Sequence, residues 1–250
     1  MRVCEIAEII EKIAPVTLAE EWDNVGLLVG DYSMQVSGIV IALDLTDSVI
    51  NECIAKKCNL IITHHPAIFD KLDSLVTTDY TSNLIIKCIQ NNINVYSAHT
   101  NMDMSDKGIN FEMAKLLGVK PNTFLSDGLG IYGEYDDNLA KLLLRIQKIT
   151  KENEPKIYKS LSSKDAEKHK IAYIGGSGGR IEEIVSKAKE LGITTIISSE
   201  FKHNILLELV AQNVNIIQIG HFESEIIFVD IIYNLLKSKT DNIYKYVDFK

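Results

Sequence analysis

Asn59–Phe69, NLIITHHPAIF, is the stretch that most constrains the fold, because a short apolar run stops there on two adjacent histidines and a proline. Leu60, Ile61 and Ile62 form the continuous hydrophobic block that a strand buried on both faces requires, with Asn59 and Pro66 as its punctuation. His64 and His65 therefore fall at a strand's C-terminal end. The residue before a proline is held extended, so strand alternation is expected to send the two imidazoles to opposite sides. Two diverging histidines suit two separate ions better than one.

At 250 residues and 46% hydrophobic content, the chain can bury a large core as one α/β domain or two smaller ones. Four cysteines, Cys4, Cys53, Cys58 and Cys88, contain no CxxC pair and fall in segments that read as helices, where a cysteine acts as a small buried hydrophobe. Free thiols suit a reducing cytoplasm. No basic-then-apolar start resembles a signal peptide, and no apolar run approaches the roughly 20 residues that span a bilayer, so a cytoplasmic protein without membrane contact is expected. A formal charge of −8 disfavours nucleic acid as a partner.

Along the chain, Val3–Ile13 has helical apolar spacing. The loop around Trp22-Asp23-Asn24-Val25-Gly26 has two readings, one with Trp22 filling the core and the other with it beside an active site. Gly38–Leu43 is a buried strand ending on Asp44, and an Asp or Thr at that point caps the helix Asp47–Cys58 or contributes to a site at the strand's end. Ser82–Asn91 is a helix, Ile93–Ala98 a strand ending on His99, and Gly108–Leu117 a helix. This alternation predicts a mostly parallel sheet with helices on its faces.

A glycine-rich stretch around Gly128–Gly133 and a polar one over Lys151–Lys170 place a second α/β domain at 126–218, with 1–125 and 219–250 forming the first. The second domain is expected to hold helices at Leu139–Ile149, Ile181–Leu191 and Asn204–Gln212, and strands at Ile171–Ile174 and Thr194–Ile197. Gly175–Gly179 lacks both the dinucleotide fingerprint and a Gly-Lys-Ser/Thr ending, leaving a tight turn or an anion site at a helix start. Val214–Ile219 is a last buried strand before Gly220-His221 and an apolar helix, and Ile243–Val247 adds an edge strand.

Four of the six histidines, His64, His65, His99 and His221, thus follow the ends of three strands, the edge where α/β sheets bind ligands. Glu225 follows His221 by four on a helix, so the two share one face, and Asp103 follows His99 by four in a polar loop. Imidazole and carboxylate donors suit zinc, iron or manganese. A carboxylate can bridge two ions, and Glu225 is the candidate bridge and a catalytic candidate. His99 is the other catalytic candidate, as a proton shuttle or as a group orienting Asp103. Glu200 and His203 cap a helix or face a substrate.

THHPAIF (Thr63–Phe69), SAHTNMD (Ser97–Asp103), EEWDNVGLLVG (Glu20–Gly30), GGSGG (Gly175–Gly179) and GHFESE (Gly220–Glu225) together resemble the NIF-three-like family of dinuclear metal proteins. Members are often named GTP cyclohydrolase I type II homologues. The resemblance implies two α/β domains with the metal site at strand C-terminal ends facing the interdomain cleft, and a toroidal homohexamer. It also implies two divalent ions held by His64, His65, Asp103, His221 and Glu225, with Glu225 touching both and His99 beside them. The activity it implies is metal-dependent hydrolysis of a nucleotide or another phosphate-bearing or ring-closed small molecule, the alternative being a non-catalytic metal-handling or regulatory interaction factor. The chain departs from the family in Ser198-Ser199-Glu200, where Thr-Gly-Glu/Asp is usual, and in Ile131, where many relatives carry arginine.

Overall fold

The computed structural model describes residues 1–125, 128, 130–151, 154–160, 169–180 and 182–247. Its elements begin with α1 (Val3–Glu11), β1 (Gly26–Val29), β2 (Ile39–Ala42), α2 (Asp47–Ala55), β3 (Leu60–Thr63), α3 (Tyr80–Gln90) and β4 (Asn94–Ser97). Then come α4 (Thr100–Asp103), α5 (Ile109–Leu117), β5 (Lys120–Phe124), β6 (Ile131–Tyr135), α6 (Leu139–Thr150), β7 (Lys156–Tyr158) and β8 (His169–Tyr173). The last are α7 (Glu183–Leu191), β9 (Thr195–Ser198), α8 (His203–Ala211), β10 (Asn215–Gln218), α9 (His221–Glu225), α10 (Ile227–Leu236) and β11 (Ile243–Lys245). They form two compact units, Met1–Met102 with Phe228–Lys250, and Asp103–Ile227.

The first unit carries a five-stranded sheet in the order β1-β4-β3-β2-β11, parallel except where β1 meets β4. Every residue of β2, β3 and β4 is buried, including the polar Thr63, Asn94 and Ser97 at the strand ends. Val40, Ile61 and Val95 pack against Ile50 and Cys53 of α2 and Leu84, Ile85 and Cys88 of α3. Burial pushes the thiols of Cys53 and Cys88 up to about 12, so they behave as small apolar groups. Cys58, expected at the end of a helix, lies beyond it. α2 stops at Ala55, Lys57 turns left-handed (φ 56°), and the Cys58 amide donates to the Cys53 carbonyl at 2.9 Å.

The second unit carries a six-stranded sheet in the order β5-β6-β8-β9-β10-β7, with β8, β9 and β10 parallel and the other pairings antiparallel. Its core joins Ala172, Ile196 and Ile216 of the sheet to Ile184 and Ala188 of α7 and Ile205 and Leu209 of α8. The units divide at 102/103 and 227/228, whereas the sequence suggests 125/126 and 218/219. The difference comes from β5, which pairs with β6 and belongs to the second sheet, and from Ser224, which bonds to Tyr173 and Gly176 in that unit. The proposed boundary residues Ser126, Asp127 and Leu129, and 152–153 and 161–168 of the polar stretch, lie outside the described residues. No helix among the described residues is long and apolar enough to cross a membrane.

Candidate metal centre

β3 delivers His64 and His65, and β4 delivers His99, all in the first unit. The two neighbouring imidazoles do not diverge. Their ring centroids lie 5.0 Å apart, and that of His99 lies 5.1 Å from His64 and 5.5 Å from His65. Strand alternation ends at Thr63, because the amides of His64 and His65 both donate to the carbonyl of Leu43, at 3.1 and 3.0 Å. Bending both amides toward one acceptor brings the side chains to the same side. One ligand atom from each of His64, His65 and His99 then falls within 4.8 Å of the other two.

Each of these rings is anchored through Nδ1. His64 meets the Ala98 carbonyl at 2.9 Å, His65 meets Asp44 Oδ1 at 2.7 Å, and His99 meets Asp23 Oδ1 at 2.9 Å. A carbonyl or a carboxylate only accepts, so Nδ1 carries the proton and Nε2 the lone pair, which is the tautomer a metal-binding imidazole needs. Asp44 is thus a ring-orienting residue and not the helix cap. The cap is Thr46, whose hydroxyl accepts from the Val49 amide at 3.3 Å.

In the second unit, α9 opens at Gly220 and places His221 and Glu225 one turn apart, with His221 Nε2 3.0 Å from Glu225 Oε2. Here too Nδ1 is held by a carboxylate, Glu200 Oε1 at 2.9 Å. Glu200 therefore orients a ring, while His203 opens α8 on an exposed position. Glu225 is only 3% exposed, and the glycine-rich turn presses against it: a Cβ on Gly176 would stand 2.0 Å from Glu225 Oε1. The first two amides of that turn go to internal partners. Gly175 N donates to Asn110 Oδ1 at 2.7 Å and Gly176 N to Ser224 Oγ at 3.0 Å. Asp103, the last residue of α4, takes a bond from Asn110 Nδ2 on its own carbonyl at 3.1 Å. Asn110 thereby ties Asp103 to the turn beside Glu225, a role that its place inside a helical pattern does not announce.

A sequence model described as Duf34/NIF3 (NGG1p interacting factor 3) matches residues 1–249. The chain belongs to the Duf34/NIF3 family. It is 36% identical over 235 residues to the GTP cyclohydrolase 1 type 2 homolog of Clostridium acetobutylicum, which covers 90% of this chain and 85% of that protein. It is 34% identical over 232 residues to the homolog of the same name in Clostridium perfringens, with 90% and 87% covered. Among solved structures, reduced HcgD from Methanocaldococcus jannaschii superposes with a TM-score of 0.88 at 27% identity, over 100% of this chain and 98% of that one.

Ser199 and Ile131, noted in the sequence as departures from the resembled motifs, each have a local setting. Ser199 donates from Oγ to the Gly176 carbonyl at 2.5 Å and lies 3.1 Å from Ser224 Oγ, so it ties the glycine turn to α9. Ile131 is 1% exposed at the start of β6, where it adds to the core. Of the two readings of the Trp22 loop, the core one fails: Trp22 is 58% exposed, and its neighbour Asp23 points inward instead.

Asp23 also carries a pH signature. Burial raises its carboxyl, but bonds from His99 and Thr100 outweigh this and lower it from the usual 3.8 to about 2. A depressed carboxylate stabilises the fold above its unfolded pKa, and that contribution drains away as pH falls through the folded value. Asp23 should therefore contribute about 2 kcal/mol above pH ~4, lost on descending to pH ~2. Urea unfolding followed by circular dichroism across that window should show a shallower loss for Asp23→Asn than for wild type. Parallel curves would refute the assignment.

Proposed function

We propose that this NIF3-family chain is a metal-dependent hydrolase acting on a nucleotide or another phosphate-bearing or ring-closed small molecule. His64, His65, Asp103, His221 and Glu225 are the residues that would hold two divalent ions, zinc, iron or manganese, with Glu225 shared between them. Such ions, when bound, supply Lewis acidity and lower the pKa of water. The remaining chemistry belongs to side chains. Asp44 and the Ala98 carbonyl hold the rings of His65 and His64 in the ligating tautomer, and Glu200 fixes the orientation of the His221 ring. His99, held by Asp23, is placed to carry a proton at Nε2.

The observation that carries this reading is the repeated oxygen anchor on Nδ1, an outer partner that metal-binding histidines almost always have and that surface histidines do not need. Free thiols and a donor set of nitrogen and oxygen fit a cytoplasmic setting. The proposed assembly is a toroidal homohexamer. Elemental analysis of gently purified protein should find about two ions per chain, falling to about one or none in His65→Ala, and the loaded wild type should turn over a member of a nucleotide and phosphoester panel. Equal metal content in both proteins would end the metal reading, and metal without turnover would end the hydrolase reading.

The family's description as an interacting factor favours a second reading, in which the ions hold a regulatory or metal-handling assembly together. Chelation separates the two, because loss of oligomer or partner binding in a protein that never turned over substrate belongs to the second.

A further inference from the structure

We propose that the exposed faces of Trp22 and Phe69 form a stacking platform for the planar heteroaromatic ring of a small ligand. The proposal rests on the hydrolase reading for what happens next to that ring, and adds the class of group that is gripped. Trp22 is 58% exposed and Phe69 54%, although large aromatics gain most from burial. They are nevertheless fixed in place. Their centroids are 5.7 Å apart at 45°, and each meets His99 edge-on at 6.1 Å, at 76° for Trp22 and 69° for Phe69.

The loops that carry them are stitched together by Asn24, whose Nδ2 donates to the Ile68 carbonyl at 2.6 Å. Asp23 clamps the same loop to His99 and Thr100, at 2.9 and 3.0 Å, so Trp22 has no route into the core. The result is a preorganised apolar corner, one ring away from His64 and His65. Neither aromatic offers charge, so the corner selects flatness and π character. A ring stacked there would lie beside the histidine cluster, leaving its polar substituents to reach the donors.

Because Trp22 is the only tryptophan, its emission, excited beyond the tyrosine band, reports on this corner alone. Adenosine or guanosine 5′-monophosphate, titrated into chelator-stripped protein, should quench it saturably, whereas ribose 5-phosphate should not. Phe69→Ala should weaken that binding roughly tenfold, and Phe69→Tyr should keep it within about twofold. Equal responses to the ribose and nucleoside phosphates, no change in Phe69→Ala, or a tryptophan already shielded from iodide by another copy of the chain would each overturn the proposal. The measurement needs no metal and no turnover. Ring-independent quenching in a protein that binds two ions defeats the platform alone, and ring-dependent quenching in a protein that binds none defeats the metal reading alone.

Discussion

Glu225→Ala is expected to lose the metal centre: bound ions should fall from about two per chain to one or none, and affinity for any that remain should drop by roughly a hundredfold or more. The reason is local. Glu225 is 3% exposed, contacts His221 Nε2 at 3.0 Å, and is backed by a glycine turn that leaves no room for another group. A carboxylate taken out of water to this extent is costly without a strong cationic or hydrogen-bonding environment. The same variant should cancel the rise in unfolding stability that wild type shows on adding metal, since that rise is the binding free energy expressed as folding. Chelator competition and denaturation with and without metal measure the two halves. Full metal stabilisation in Glu225→Ala would remove this residue from the proposed ligands.

Gly176→Ala should have the next largest effect. Its φ of +54° lies in the left-handed region, where a Cβ costs roughly 1–2 kcal/mol. The added methyl would also stand 2.0 Å from Glu225 Oε1 and 3.4 Å from His221 Nε2. Relieving that contact displaces the carboxylate whose other oxygen lies 3.0 Å from His221 Nε2. Metal affinity should therefore fall at least tenfold while the protein stays folded, a pattern that separates it from general destabilisation. Gly192→Ala is the control, having a similar φ of +66° and open space around it, so it should lose stability and keep metal.

The apolar runs made the central strands legible, because a segment buried on both faces is mostly apolar, as Leu60–Ile62 and Ile216–Ile217 are, with polar residues such as Thr63 and Asn215 confined to the strand ends. The histidines at their ends were legible for the same reason. Their convergence was not, since it depends on one distant carbonyl, Leu43, accepting from two successive amides. The anchoring carboxylates were equally hidden: Asp23 lies 76 positions from His99, and Asp44 lies 21 from His65. A helix cap and a ring anchor look alike until the fold brings the partner close. β7, three residues long and largely exposed, is a strand only because β10 pairs with it.

β11 has a kinetic consequence. It completes the first sheet beside β2, and Asn242 Nδ2 reaches the Ser37 carbonyl at 2.8 Å across 205 positions of chain. During synthesis the unit begun first must wait with an unpaired edge on β2, while the continuous segment Asp103–Ile227 can close on itself beforehand. Emergence from the ribosome therefore runs opposite to completion: the half started earliest finishes last, and its open edge is the place where a nascent chain is most exposed to pairing with a stranger.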